Sequence, residues 1–261
     1  HNTATSVDAY NTAVGSNAGG AVTTGTLNTL IGGLAGDALT DSDRNTAIGY
    51  NALSSDTLGQ YNTAVGFGSF TTQNFTTATN SYNTGLGYQA GMLVTTGVQN
   101  TLIGGLAGDA LTNADYNVAL GYNSLTADTL GSRTIAIGYA ALQKQNFTTA
   151  TDSYNVAIGH AAGGEVTTGT QNTLIGGLAG DAITTGVSNT GVGKSAVGGV
   201  TTGDFNTAVG HGALLTVSTS DYNTAVGYLA GNLVTTGVQN TLIGGLAGDS
   251  LTDADFNVAV G

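Results

Sequence analysis

The chain contains no cysteine, no proline and no tryptophan, and only four of its 261 residues are basic. Without cysteine it has no disulfides and no thiolate metal sites, and the sequence carries no trace of a redox compartment. Average usage at this length gives roughly 13 prolines, so their absence implies a backbone whose N–H groups are needed nearly everywhere. The basic residues Arg44, Arg133, Lys144 and Lys194 stand against sixteen carboxylates, for a formal charge of −12. Such a surface repels phosphate backbones and anionic lipid, which excludes nucleic acid and the membrane surface as leading partners. No apolar run reaches the roughly eighteen residues of a membrane span, and the opening HNTATSVDAY lacks the basic and apolar regions of a signal peptide. Neither membrane insertion nor targeting is therefore expected of this stretch.

What the chain has instead is glycine, 43 of them, and a repeat. The pattern N-T-[AL]-[VI]-G-x-x-A starts at Asn11, Asn28, Asn45, Asn62, Asn83, Asn100, Asn117, Thr134, Asn155, Asn172, Asn189, Asn206, Asn223, Asn240 and Asn257. Successive starts differ by 17 residues, except that Asn62 to Asn83 and Thr134 to Asn155 differ by 21. The four-residue insertions lie in TTQNFTTATNSY and QKQNFTTATDSY and are expected to protrude. Counted from the Asn, position five is glycine throughout: Gly15, Gly32, Gly49, Gly66, Gly87, Gly104, Gly121, Gly138, Gly159, Gly176, Gly193, Gly210, Gly227, Gly244 and Gly261. Position eight is alanine or serine, and position thirteen is threonine in nearly every 17-residue unit.

Seventeen residues are too few for a helix pair, and a glycine in each helix interior costs about 1 kcal/mol relative to alanine. Thr-Ala-Val reads as a short strand with positions two and four on one face and position three on the other. A second strand is expected at positions eleven to fourteen, as in Ala21 to Thr24 or Leu93 to Thr96. The expected fold is all-β, a β-solenoid or β-roll of about fifteen 17-residue coils forming one repeat array over residues 1–261. Coils stacking every ~4.8 Å make a rod of roughly 70 Å. Val14, Ile31, Ile48 and Val65 then form an aliphatic ladder, and the asparagines stack with side chain bonded to side chain. Neither end has capping character, which points to a segment of a longer fibre or to a subunit that stacks end to end.

The unit resembles two sequence families. The heads of trimeric autotransporter adhesins carry β-roll repeats of the form S-V-A-I-G-x-x-A, similar to Asn117-Val-Ala-Leu-Gly121, Ile135-Ala-Ile-Gly138 and Asn155-Val-Ala-Ile-Gly159. Repetitive shafts of phage tail-fibre-like and surface-fibre proteins use N-T-A-[IV]-G-Y-x-A-L, similar to Asn45-Thr-Ala-Ile-Gly-Tyr-Asn-Ala-Leu53. The resemblance implies a homotrimer, located extracellularly, on a cell surface or on a virion, with a role in spanning or binding.

Candidate chemistry is sparse. Gly191-Val-Gly193-Lys194-Ser195 looks like the end of a phosphate-binding loop, but Ser188 occupies the place of its first glycine. His1 is terminal; His160 and His211 share a column three coils apart, hence roughly 14 Å, too far for a shared metal ion. Asp37, Asp41, Asp43, Asp109, Asp115, Asp249, Asp253 and Asp255 recur in turn-rich G-G-L-A-G-D-x-L-T phrases. They are either solvated turn acids or calcium ligands; the Asp181 copy lacks paired carboxylates. Position six carries Tyr50, Phe67, Tyr88, Tyr122, Tyr139, His160, Lys194, His211 and Tyr228, a mostly aromatic column whose Tyr and Phe rings are able to stack on host glycan or to pack between chains. Tyr10, Tyr61, Tyr82, Tyr116, Tyr154, Phe205, Tyr222 and Phe256, just before the Asn, read as structural.

A repeated column offers the same group at every coil instead of unlike groups converging in a cleft, so an enzyme is not expected, nor a cofactor other than calcium. The leading reading is a structural and adhesive fibre segment that associates with itself, as a homotrimer or filament, and attaches to a host-surface glycan or protein. The alternative is a monomeric solenoid that binds ice through its threonine columns, or calcium.

Overall fold

A computed structural model describes residues 8–261; His1 lies outside the described residues. The architecture is an all-β parallel β-solenoid, and the described residues contain no helix. Each repeat contributes one three-residue strand at positions two to four. The chain forms two compact units, one running to Ser132 and including Thr148–Ala150, the other comprising Arg133–Phe147 and Thr151–Gly261. The first unit holds the strands Thr12–Val14, Thr29–Ile31, Thr46–Ile48, Thr63–Val65, Thr84–Leu86, Thr101–Ile103 and Val118–Leu120. The second holds Ile135–Ile137, Val156–Ile158, Thr173–Ile175, Thr190–Val192, Thr207–Val209, Thr224–Val226, Thr241–Ile243 and Val258–Val260. Within each unit, strands pair in parallel and in register, so like positions lie side by side, as in Thr207↔Thr224 and Val209↔Val226.

The strand alternation decides what the coil encloses. Position three points inward, and Leu30, Ala47, Leu102, Ala157, Leu174 and Leu242 are buried. Alanines at position eight and the aliphatics at position twelve, such as Leu39, Leu111 and Ile183, join them. A coil this narrow cannot hold two large residues at positions three and nine. Leu30 is paired with Gly36, where a Cβ would come within 2.8 Å of the leucine, and Ala47 is paired with the buried Leu53. Phe70 needs two glycines from the next coil: a Cβ at Gly85 or Gly91 would approach its ring to 2.7 or 2.4 Å. Core volume is thus balanced between neighbouring coils, as close packing demands.

The expected second strand at positions eleven to fourteen does not form. Those residues run through turns, with internal bonds such as Gly20 N→Asn17 O (3.1 Å) and Val22 N→Gly19 O (3.1 Å). Between them, Ala21 N→Asp37 O and Thr23 N→Thr40 O, both 3.0 Å, tie each turn to the next coil. Sharp reversal within so few residues needs left-handed backbone, and positions seven, nine and seventeen supply it even without glycine, as at Asn51 (φ 57°), Leu53 (φ 54°) and Tyr61 (φ 61°). Threonine Oγ1 at position thirteen donates to the next coil's carbonyl, for example Thr40 to Thr57 O (3.1 Å) and Thr184 to Thr201 O (3.1 Å).

The asparagine column is buried and works mainly on the backbone. Asn28 Nδ2 donates to Ser42 O at 2.7 Å in its own coil, while its Oδ1 accepts the Asn45 N–H at 2.9 Å from the next. Side chain to side chain bonds accompany these in the second unit, as from Asn223 Nδ2 to Asn206 Oδ1 (3.3 Å).

The first insertion protrudes less than the sequence implies. Gln73, Phe75 and Ser81 are buried, Thr79–Asn80 pairs with Gly59–Gln60, and exposure is concentrated at Thr76, Thr77 and Ala78. Its anchor is Asp56, a fully buried carboxylate at position twelve, where most coils carry Val, Leu or Ile. Asp56 accepts hydrogen bonds from Gln73 Nε2 (2.7 Å), Gly59 N (3.0 Å) and Phe75 N (3.1 Å), and Asn83 Nδ2 donates to Gln73 Oε1 (2.9 Å). Before the second insertion, Asp128 is equally buried and accepts from Gly131 N at 3.0 Å.

Burial pushes the Asp56 carboxyl up from its ordinary 3.8, outweighing the hydrogen bonds from Gln73, Phe75 and Gly59 that pull it down. The folded chain therefore holds this proton more tightly than the unfolded one. Its contribution to stability is full below the ordinary carboxylate value and is lost as pH rises through the raised folded value. Asp56→Asn removes the titration. Relative to that variant, the parent is expected to gain stability as pH falls from 7 toward the ordinary value, measured as the difference between their melting temperatures. A difference that does not change with pH counts against the raised carboxyl.

Candidate functional site

The same alternation that buries position three turns positions two and four outward. The aliphatic ladder expected from the sequence therefore lies on the outer face of the strand stack and not in the core. Ile175 is 36% exposed, Val226 37%, Ile243 41% and Leu86 46%. Register places them shoulder to shoulder, Val209 beside Val226 and Val226 beside Ile243. Beside this stripe runs position two, half-buried Thr with Val or Ile in some coils, so each unit presents an uncharged strip on an otherwise acidic protein.

Position six follows the glycine of each coil, and its rings are exposed but stacked along the coil direction. Tyr50 lies on Phe67 and Phe67 on Tyr88, each at 5.6 Å with planes within 21°. In the second unit Tyr139 stacks on His160 at 5.3 Å, and His211 on Tyr228 at 5.6 Å. Tyr122 is likewise half exposed. Stacking occupies ring faces, so within a stack the rings present mainly edges and hydroxyls; faces open where the aromatic column is interrupted, as by Gly33, Gly105, Gly177, Lys194 and Gly245. The rings before the asparagines also reach the surface, with Tyr61 on Tyr82 and Phe205 on Tyr222 at 5.0 Å, and the Arg44 guanidinium 5.3 Å over Tyr61.

The glycines of position five hold this face together. Gly176 has φ +136°, and a Cβ there would sit 2.5 Å from Gly193 O in the next coil; Gly104 has φ +132° with Gly121 O at 2.5 Å. A side chain fails there twice, by dihedral angle and by contact.

The candidate calcium ligands are spread among separate duties. Asp43 Oδ1 accepts from Thr26 N (2.7 Å) and Oγ1 (2.9 Å), Asp115 Oδ1 from Val98 N (2.8 Å), and Asp255 Oδ1 from Val238 N (2.8 Å). All three occupy position sixteen and bind the backbone one coil earlier, as do Asp204 and Asp221. Asp41 accepts from Thr24 Oγ1 and Asp109 from Thr126 Oγ1, both at 2.5 Å. Burial pushes the Asp109 carboxyl up against the pull of Thr126, and Asp181 is raised by burial and by the nearby Glu165. Asp37 accepts from Asn17 Nδ2 at 3.4 Å, Asp249 from Ser250 Oγ at 3.3 Å, and Asp253 from Thr252 Oγ1 at 3.1 Å. Among the described residues, no group of three or more histidine or acidic side chains is placed to hold a metal ion. The stretch resembling a phosphate loop is an ordinary coil, with strand Thr190–Val192 leading into Gly193 (φ 134°) and no helix following.

Two features were passed over in the sequence. The position-sixteen acids act as acceptors for the neighbouring coil, which their recurrence at one register could have revealed. Asp56 and Asp128 are polar breaks in an aliphatic column, each followed one coil later by Gln73 or Gln145. The chain matches no protein-family model and no curated protein sequence.

Proposed function

We propose that this chain is a segment of a structural and adhesive extracellular fibre that associates with itself through the outward aliphatic stripe. The stripe carries the reading: a solvent-facing ladder of Val, Ile and Leu, repeated at the same register in coil after coil. Covering each half-exposed aliphatic contributes on the order of 1 kcal/mol, so a few adjacent coils make a stable contact. A partner for this strip must be uncharged and must repeat with the period of one coil, and a second copy of the chain meets both conditions. The family resemblance points the same way, toward three chains.

Light scattering is expected to give a mass near three times 25.7 kDa. Ile175→Lys together with Ile243→Lys is expected to shift it to one chain while changing the monomer's stability by no more than about 0.5 kcal/mol per site. A parent that is monomeric at all concentrations overturns the reading.

One observation favours a second reading. The position-two threonines are half exposed and lie side by side in register, as in Thr207↔Thr224, which a monomeric ice-binding surface requires. Thermal hysteresis from a monomer supports that reading and removes the first.

A further inference from the structure

The four lysines and arginines are treated unequally. Arg44 lies 3.7 Å from Asp43, Arg133 contacts Asp152, and Lys144 lies 2.7 Å from Glu165. Among the described residues, Lys194 alone of the four has no carboxylate at ion-pair distance, and it is exposed. It stands at position six, in one column with His160, Gly177 and His211 on four successive coils of the second unit. Main-chain bonds fix these rungs: Leu178 N→His160 O (2.9 Å), Ser195 N→Gly177 O (3.1 Å), Gly212 N→Lys194 O (3.0 Å) and Leu229 N→His211 O (2.9 Å).

Gly177 is an open rung. A Cβ built there meets no atom within 4 Å, and no positive φ demands glycine. His160 stacks on Tyr139 and His211 on Tyr228, so each imidazole has its aromatic neighbour on the side away from Gly177 and Lys194. Two coil steps separate His160 from Lys194, about 10 Å along the column, which leaves room for one ring. Rings of that size do fit the row, since Tyr139 and Tyr228 occupy the same position.

We propose that His160, Gly177, Lys194 and His211 form a binding site for an acidic saccharide. One pyranose seats over Gly177 against the imidazole of His160, and its carboxylate takes a charge-assisted hydrogen bond from Lys194 Nζ. The acidity of the rest of the chain sharpens the choice: an anionic sugar is repelled from the general surface and attracted at Lys194, whose charge, alone of the four lysines and arginines among the described residues, has no carboxylate at ion-pair distance. The proposal deepens the adhesive reading and rests on it.

The test titrates sialyllactose, with lactose as the neutral control, into the 261-residue chain by calorimetry. Sialyllactose is expected to bind and lactose not. Lys194→Gln is expected to weaken binding about tenfold or more, with unchanged melting temperature. Gly177→Tyr completes the column and is expected to abolish binding while keeping the fold. Equal binding of lactose, or of sialyllactose to Lys194→Gln, overturns the site. If sialyllactose does not bind but chain-coated beads still adhere to cells, the site fails and the adhesive reading stands; if neither occurs, both fail. Loss of self-association in Lys194→Gln without saccharide binding assigns the lysine to a carboxylate of a second copy instead, and also overturns the proposal.

Discussion

Gly176→Val is expected to cost about 4 kcal/mol or more, while Gly177→Ala, one residue away, costs less than about 1 kcal/mol. The two glycines are neighbours in the chain, one in the invariant position-five column and one at the variable position six, and their surroundings differ in the same sense. At Gly176 the backbone has φ +136° and the new Cβ would lie 2.5 Å from Gly193 O and 2.6 Å from Gly193 C. Gly193 cannot step aside, because its own N–H is bonded to Ile175 O at 2.7 Å and its φ of +134° repeats the same constraint toward Gly210. A β-branched residue adds its poor tolerance of positive φ. At Gly177 neither obstacle exists. Urea unfolding of both variants measures the contrast, and hydrogen exchange is expected to place the loss in the coils around residues 172–210. Equal midpoints for Gly176→Val and the parent mean that the coil spacing is not set by this column.

The other large effect belongs to the asparagines. Asn206→Leu preserves size and is expected to cost about 4 kcal/mol, roughly the sum of two buried groups left unpaired. Asn206 is fully buried. Its Nδ2 donates to Ser220 O at 2.7 Å and its Oδ1 accepts from Asn223 N at 3.0 Å. Leucine leaves both main-chain groups without partners in a place that water does not reach. The loss appears in thermal melting, and replacing the exposed Gln239 by Leu serves as the surface control, expected within about 0.5 kcal/mol. If the two variants melt together, the asparagine column is decoration.

These two columns show how far the sequence could be read. Period, parallel stacking and the need for glycine at position five followed from strict recurrence, because a column is legible wherever one residue type alone satisfies the geometry. The second strand at positions eleven to fourteen was expected from Val-Thr-Thr, whose β propensity gave way to turn geometry. Left-handed Leu53, Phe70 and Val197 were invisible, since nothing in those side chains favours positive φ and only the surrounding coils impose it. The outward aliphatic stripe was legible as a pattern but not in direction: period two says that positions three and four face opposite ways, and only the packing of Leu30 and Ala47 says which way is in. The place of Lys194 in the position-six column was legible, but its lack of an ion-pair partner was not, because charge pairing depends on which acids lie nearby in space.

The left-handed turns also govern how the molecule comes into being. Each coil holds two or three non-glycine residues in a conformation that costs about 1 kcal/mol or more apiece, and its bonds run mostly to residues about one period away. A lone coil has no reason to close. A coil laid against one already formed gains its asparagine, threonine and backbone bonds together, so growth is templated, with one difficult nucleus followed by rapid addition. Folding of this chain then resembles the advance of a crystal face, with a rate set by the first pair of coils and little affected by how many follow.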